Sequence, residues 1–292
     1  QRRGGVGVID LDIKEEDFVS IFLSANTHSD LLFFTDRGKV YQIKMYDIPE
    51  GKRATRGKSI MNFLQLADNE RVTSVLALPK GAKSAPGSVL MTTKLGTAKK
   101  VAVKQFSDVR RSGIIAIRLD DGDELYGAVL VNKSDEAIVT TSLGQAIRFK
   151  ESDIREMGRT AGGVRAIKLR KGDSVVGLGL ISGGERSLPA GRQGELLVLS
   201  ASGYGKKSKL SEYKVQKRGG TGILTAKVTT KTGPLISAQV LDATKDEIIT
   251  MSKQGQVVRT NLGEIPTLSR STQGVRVMRM REGDSLASLT CL

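Results

Sequence analysis

The chain has 292 residues, with 46 Lys and Arg against 31 Asp and Glu, a formal net charge of +15 and a sequence pI near 9.9. Hydrophobic residues make up 39%, enough for a sizeable core, which excludes a disordered basic tail. No apolar run reaches the ~18 residues of a membrane span and no signal-peptide pattern opens the chain, while one cysteine (Cys291) and one histidine (His28) exclude an internal disulfide, a Cys/His zinc site and a His-dependent triad.

Residues 1–29 open with Gly7 and two β-rich runs, GVIDLDI and FVSIFLSA, on either side of a KEED turn. A fuller pattern begins at Leu31: LLFFTDRGKVYQIKM, two strand-like runs joined at Gly38. It recurs as VLMTTKLGTAKKVAV from Val89, AIVTTSLGQAIRF from Ala137, LLVLSASGYGKKSKL from Leu196 and IITMSKQGQVVRT from Ile248, with turn glycines Gly96, Gly144, Gly203 and Gly255. A second glycine follows after 17 to 19 positions (Gly57, Gly113, Gly163, Gly222, Gly274) and opens a third run: GKSIMNFLQL, GIIAIRL, GVRAIKL, GILTAKV or GVRVMRM. A polar turn and a last apolar run (SVLAL, YGAVLV, VGLGLI, ISAQVL, ASLTCL) close each unit. The units fall at about 1–29 (partial), 30–80, 87–133, 136–182, 194–243 and 246–292, within one domain spanning 1–292. The first lacks its opening hairpin, as expected of a piece of something longer or of a domain whose missing strands lie upstream.

Four strands per unit and six units predict an all-β, six-bladed, propeller-like disc of four-stranded blades, the first blade incomplete at the N-terminus. A unit with one buried face needs neighbours to cover it. With no Trp to supply its dipeptide, a WD40 propeller is hard to support. The loops KGAKSAPG from Lys80 and SGGERSLPAGRQG from Ser182 read as surface insertions.

The excess charge sits on one repeated element. The stretches from turn glycine to second glycine, with residues 1–7, hold 24 Lys/Arg and 8 Asp/Glu, a net of +16; the remainder carries −1. In a radial array that element recurs around one rim, and the matching partner is an acidic polymer. No basic amphipathic helix points to a membrane. Aromatics at 4% leave few stacking platforms for single strands, whereas duplex DNA gripped through phosphates needs none. Bending ~40 bp through half a circle costs on the order of 10 kcal/mol, so contacts spread over several blades are required. The candidate DNA contacts are Lys39, Lys44, Lys52, Arg53, Arg56, Lys99, Lys100, Lys104, Arg110, Arg111, Arg148, Lys206, Lys207, Lys209, Lys217 and Arg218. The same segments also hold Lys150, Arg155, Arg159, Lys214, Arg259 and Arg270.

Gln1-Arg2-Arg3-Gly4-Gly5-Val6-Gly7 is matched by Gln216-Lys217-Arg218-Gly219-Gly220-Thr221-Gly222 at the same repeat position. Paired glycines let backbone N–H groups approach a phosphate, and the adjacent basic residues add charge, so Gln1, Arg2, Arg3, Gly4, Gly5 and Gly7 join the candidate contacts. Both copies resemble the signature heptapeptide of the C-terminal domain of bacterial DNA gyrase A, Gln-basic-Arg-Gly-Gly-basic-Gly. ANTHSDLLFFTDRGKVY, DDGDELYGAVL, RFKESDIREMG, SASGYGKKSKLSEY and STQGVRVMRM extend the likeness over essentially the whole chain. Val6 and Thr221 depart from it, standing where Lys or Arg is expected.

The resemblance implies a six-bladed β-pinwheel whose blades exchange a strand. It implies a non-catalytic domain that wraps duplex DNA around its rim to direct ATP-dependent negative supercoiling, as an accessory part of a type IIA topoisomerase. The implied partners are double-stranded DNA, the catalytic N-terminal part of gyrase A, and gyrase B, in a heterotetrameric holoenzyme with no membrane. The setting is cytoplasmic and chromosome-associated. No cofactor belongs to this chain; ATP and Mg are used elsewhere in the holoenzyme. The runner-up is the equivalent domain of topoisomerase IV, and a protein-binding propeller scaffold is the reading of a different class. Asp120-Asp121-Gly122-Asp123-Glu124 reads as a hairpin turn rather than a metal site, because Lys-Gly-Asp or Glu-Gly-Asp fills the same place in other units. His28 reads as a turn residue and Cys291 as a packed one.

Overall fold

The computed structural model describes residues 21, 23, 25–51, 57–79, 81, 87–183, 194–241 and 246–291. The first full unit forms β1 (Asp30–Thr35), β2 (Lys39–Lys44) and β3 (Val72–Leu78). The second forms β4 (Ser88–Thr93), β5 (Thr97–Ala102), β6 (Ile114–Ile115) and β7 (Leu125–Val131). The third forms β8 (Glu136–Thr141), β9 (Gln145–Lys150), β10 (Val164–Arg165) and β11 (Val175–Ile181). The fourth forms β12 (Glu195–Ser200), β13 (Tyr204–Lys209), β14 (Ile223–Leu224) and β15 (Leu235–Leu241). The fifth forms β16 (Glu247–Ser252), β17 (Val257–Asn261), β18 (Val275–Arg276) and β19 (Leu286–Cys291).

Every strand order is the same: β3-β1-β2-β6, β7-β4-β5-β10, β11-β8-β9-β14, β15-β12-β13-β18, then β19-β16-β17. The two-residue strand at the far edge always comes from the following unit. The first strand of each order (β3, β7, β11, β15, β19) contributes to the lining of one cavity of about 520 Å³, with Thr73, Tyr126, Leu178, Ile236 and Leu289 in its wall. The sheets therefore radiate from a common axis, hairpins farther out and borrowed strands outermost.

Between blades the core is shared. Leu90 and Val131 of the second unit pack in one cluster with Ile147, Phe149, Ala166 and Ile167 of the third. The first hairpin strands β1 and β4 are buried along their whole length because both of their faces are covered. After the second hairpin strand each unit leaves its sheet by a 3₁₀ turn: Met45–Asp47, Val103–Phe106, Glu151–Asp153, Leu210–Glu212 or Leu262–Glu264. The chain then runs alongside the preceding blade, where the Met157, Gln216 and Leu268 N–H groups donate to the carbonyls of Lys100 (2.8 Å), Arg148 (2.7 Å) and Lys207 (2.8 Å).

The two glycine series make this exchange possible. Gly96 has φ +86°, and a Cβ there would lie 2.8 Å from the Ile167 carbonyl of the next unit. Gly163 has φ +107°, and a Cβ there would lie 2.7 Å from the Ala98 carbonyl. Both places need a left-handed backbone and no side chain, because two chain segments touch through their main chains. The Ala166 N–H seals the join by donating to the Gly96 carbonyl at 2.8 Å; Ala116, Thr225 and Val277 do the same to Gly38, Gly144 and Gly203, each at 2.8 Å.

The structure corrects three expectations. Among the described residues it shows five blades of three or four strands where six were expected; the partial unit at 1–29 falls almost wholly outside the described residues. In the second to fifth full units only two residues of the third run pair as strand; the next ones, such as Ala116 and Ile117, turn inward as buried plugs. The run from Gly57 is no strand at all. It holds a 3₁₀ turn at Ile60–Asn62, and Leu64 packs with Leu31, Phe33 and Tyr41. In the other units this run joins the preceding unit's hairpin. Among the described residues no helix is long and apolar enough to cross a membrane.

Candidate nucleic-acid interface

The basic segments begin at the hairpin turn and end at the outermost strand, so in every described unit they occupy the outer part of the wheel. Their cations fall into two groups. One group sits at a paired repeat position, graded from buried Arg148 to exposed Arg259. Four residues past the turn glycine stand Gln42, Lys100, Arg148, Lys207 and Arg259; all but Lys100 face an acid at the start of the same hairpin. Gln42 Nε2 donates to Asp30 at 3.0 Å, Arg148 Nε to Glu136 at 2.7 Å, Lys207 Nζ lies 3.2 Å from Glu195, and Arg259 Nε donates to Glu247 at 2.8 Å. Ser88 replaces the acid in the second unit, and Lys100 pairs instead with Glu151 of the third. Arg148 is buried and also donates to the carbonyls of Leu210 (2.8 Å) and Tyr213 (3.2 Å). A buried cation must be paired, and the buried members Lys100 and Arg148 are.

Lys99 and Lys206 lie one position earlier and are fully buried. Lys99 Nζ donates to the carbonyls of Ala116 (2.9 Å), Ala161 (2.8 Å) and Arg159. Lys206 Nζ donates to the carbonyls of Ser269 (2.6 Å) and Arg270 (2.7 Å) and to Thr272 Oγ1 (3.2 Å). Burial draws the Lys99 ammonium down to about 8, and repulsion from Arg159 adds to it. Burial likewise draws Lys206 down to about 8; Glu212 opposes this and Arg270 adds to it. As expected DNA contacts, Lys99, Lys100, Arg148 and Lys206 are therefore corrected: their charges are enclosed by the fold.

The other group faces solvent. Lys104, Arg110, Arg111, Lys209 and Lys217 are exposed, and Lys39 and Lys44 are half-buried, with Lys44 Nζ 2.5 Å from Asp30. Lys217 is 93% exposed, and its 3.5 Å approach to Asp153 is a surface pair worth little. Lys150 and Lys209 share one repeat position, Arg155 and Lys214 another, and all four are exposed. Arg165 and Arg276, on the outermost strands β10 and β18, are exposed too. Sequence reasoning misses these two, since they follow the second glycine and count with the neutral remainder; the Gly-Val-Arg repeat is the available signal. Gln1, Arg2, Arg3, Gly4, Gly5, Gly7, Lys52, Arg53 and Arg56 lie outside the described residues.

The second heptapeptide copy is fully described. Arg218 donates through Nε to the Asp153 carbonyl (2.9 Å) and through Nη1 to the Arg165 carbonyl (3.1 Å). The Gly219 N–H donates to the Ala166 carbonyl at 2.6 Å, and the Gly220 carbonyl accepts from Lys168 N–H at 2.8 Å. In this copy the Arg-Gly-Gly backbone joins two blades, so the Gly219 N–H is not available to a phosphate. The Gly-Asp turns are likewise internal: Asp123, Asp173 and Asp284 accept the N–H of Leu95 (2.9 Å), Leu143 (2.9 Å) and Gln254 (3.1 Å) at the hairpin tips.

Radial antiparallel sheets that lend each other an outer strand, with cations repeated along the outer edge, define a β-propeller-type domain. The family model described as DNA gyrase C-terminal domain, beta-propeller, matches residues 1–26, 29–79, 87–132, 135–182, 194–242 and 246–292, and the chain belongs to that family. It is 42% identical over 289 residues to DNA gyrase A of Salmonella typhimurium, covering 99% of this chain and 32% of the relative. The chain thus spans about a third of the length of such curated relatives. A solved gyrase A C-terminal domain superposes with a TM-score of 0.79 at 27% identity, covering 100% of this chain and 92% of that one. The C-terminal domain of a DNA topoisomerase IV superposes with a TM-score of 0.81 at 23% identity, covering 97% and 85%, a likeness of fold.

Proposed function

We propose that this chain is the duplex-DNA wrapping part of a gyrase A protein, bending DNA around its outer edge to direct ATP-dependent supercoiling carried out elsewhere in the holoenzyme. The observation that carries the reading is the recurrence of exposed cations at equivalent outer positions of successive units: Lys150 with Lys209, and Arg155 with Lys214. Lys104, Arg110, Arg111, Lys217, Arg165 and Arg276 extend the track. Such a track holds phosphates without reading bases, so binding falls steeply with salt and depends little on sequence. The catalytic part of gyrase A and the gyrase B protein are the protein partners in this reading, and the setting is cytoplasmic and chromosome-associated.

Six units form the ring in this reading, with residues 1–29 as the sixth. Two facts support it: among the described residues the sheet of β17 has three strands where every other described sheet has four, and Gly7 holds the sequence position of the glycines that open the fourth strands. Gln1, Arg2, Arg3, Gly4, Gly5 and Gly7 are DNA contacts in this reading, as are Lys52, Arg53 and Arg56.

Ligation of nicked circular DNA on the chain tests the proposal. A positive shift in linking number is the expected result. Salt-sensitive binding with no shift would favour the topoisomerase IV-type reading that the second fold likeness keeps in play. Absence of duplex binding would leave the protein-binding scaffold.

A further inference from the structure

A repeated polar device joins the blades. The residue four positions before the second glycine is arginine in the third, fourth and fifth full units: Arg159, Arg218 and Arg270. Each donates through Nη1 to the carbonyl two positions after the second glycine of the preceding unit. The acceptors are Ile115 (3.4 Å), Arg165 (3.1 Å) and Leu224 (2.8 Å), all on the borrowed strands. Below two of these arginines lie the caged lysines. Lys99 holds the Arg159 and Ala161 carbonyls, and Lys206 holds those of Ser269 and Arg270.

We propose that Arg159, Arg218 and Arg270, with Lys99 and Lys206 beneath, are positioning residues that clasp each crossing loop to the preceding blade and so set the angle between blades. Each ammonium has three donors and three oxygen partners inside a closed site, which leaves nothing for a phosphate. The guanidinium groups reach main-chain carbonyls of another unit, which ties loop to strand at a fixed distance. The joints are not alike. Between the third and fourth units the caged position is Ile147, and there Arg218 adds its second bond, to the Asp153 carbonyl at 2.9 Å. That joint has no caged lysine; Arg148, one position later, reaches the Leu210 and Tyr213 carbonyls there instead. The consequence for DNA rests on the proposed wrapping: a rim whose blade angles are held by these clasps presents its exposed cations along one fixed arc.

Amide hydrogen exchange on the full chain without DNA tests the clasp directly. Lys206→Met speeds exchange about tenfold in residues 268–274 and leaves 157–163 unchanged; Lys99→Met does the reverse. Lys206→Gln, which keeps two N–H donors without charge, recovers part of the protection, and Arg218→Met opens 216–222 more than Arg159→Met opens 157–163. Unchanged exchange in a variant's own loop overturns the proposal. The second readout is binding to a random-sequence linear duplex. Lys99→Met and Lys206→Met keep the wild-type salt slope while the linking-number shift shrinks. A slope lower by ~0.9 per lysine removed makes them phosphate contacts and overturns the clasp. If the wild-type chain binds no duplex, the wrapping reading fails, and exchange alone decides the clasp.

Discussion

Arg148 and Glu136 face each other across one hairpin, with Nε at 2.7 Å and Nη2 at 2.6 Å from the same carboxylate oxygen. The next hairpins repeat the pair in stages of increasing exposure: Lys207 with Glu195, then Arg259, 61% exposed, with Glu247. Removing the acid from the buried pair strands a desolvated guanidinium, whereas water replaces the acid in the exposed one. Glu136→Ala should therefore cost about 3 kcal/mol in urea denaturation, and Glu247→Ala only a small part of that. Equal losses would show that burial does not set the cost.

The caged lysines give a pH dependence of known sign. Both are drawn down to about 8 in the folded chain from an ordinary 10.5. Between those values the unfolded chain holds more protons than the folded one, so raising the pH there favours the folded state; below about 8 the effect is flat. The stability difference between wild type and the Lys99→Met, Lys206→Met double variant should shift in favour of wild type between pH 8 and 10. A shift against wild type would mean that the carbonyl cages outweigh burial.

Two glycines separate backbone conformation from contact. Gly172 has φ +74° with nothing within 4 Å of an added Cβ, and Gly172→Ala should cost about 1 kcal/mol. Gly96, at φ +86°, would in addition press a Cβ onto the Ile167 carbonyl, and Gly96→Ala should cost ~3 kcal/mol or more. Thermal or urea unfolding of the two variants checks the order. The reverse order would remove the close approach as the reason for the glycine.

Exposed outer cations should behave differently from enclosed ones. Lys209→Glu with Lys214→Glu should leave stability unchanged and lower the salt slope of duplex binding by about 2. Lys253→Glu, an equally exposed lysine at a hairpin tip outside the basic segments, is the control and should change the slope far less. If both variants act alike, general charge rather than an outer track governs binding.

The strand repeat, the two glycine series and the concentration of charge between them are all readable along the chain, because periodicity and turn chemistry are local. From Gly96 and Gly163 one can foresee turns. That each meets a carbonyl of another unit cannot be foreseen, since the contact joins residues about seventy positions apart. The run after Gly57 shows the same limit. It has the pattern of its equivalents, yet among the described residues it forms no strand, and Leu64 packs with Leu31, Phe33 and Tyr41 instead.

By itself the sequence determined that this protein is an all-β array of repeated units whose excess positive charge lies between the two glycines of each unit. Only the tertiary structure decided which of those charges face water. Lys99 and Lys209 look alike in the chain, yet one is sealed among three oxygens and the other stands in solvent. The reason is dielectric: a cation can be buried only where oxygens converge on it, and for Lys99 and Lys206 most of those oxygens come from the next unit.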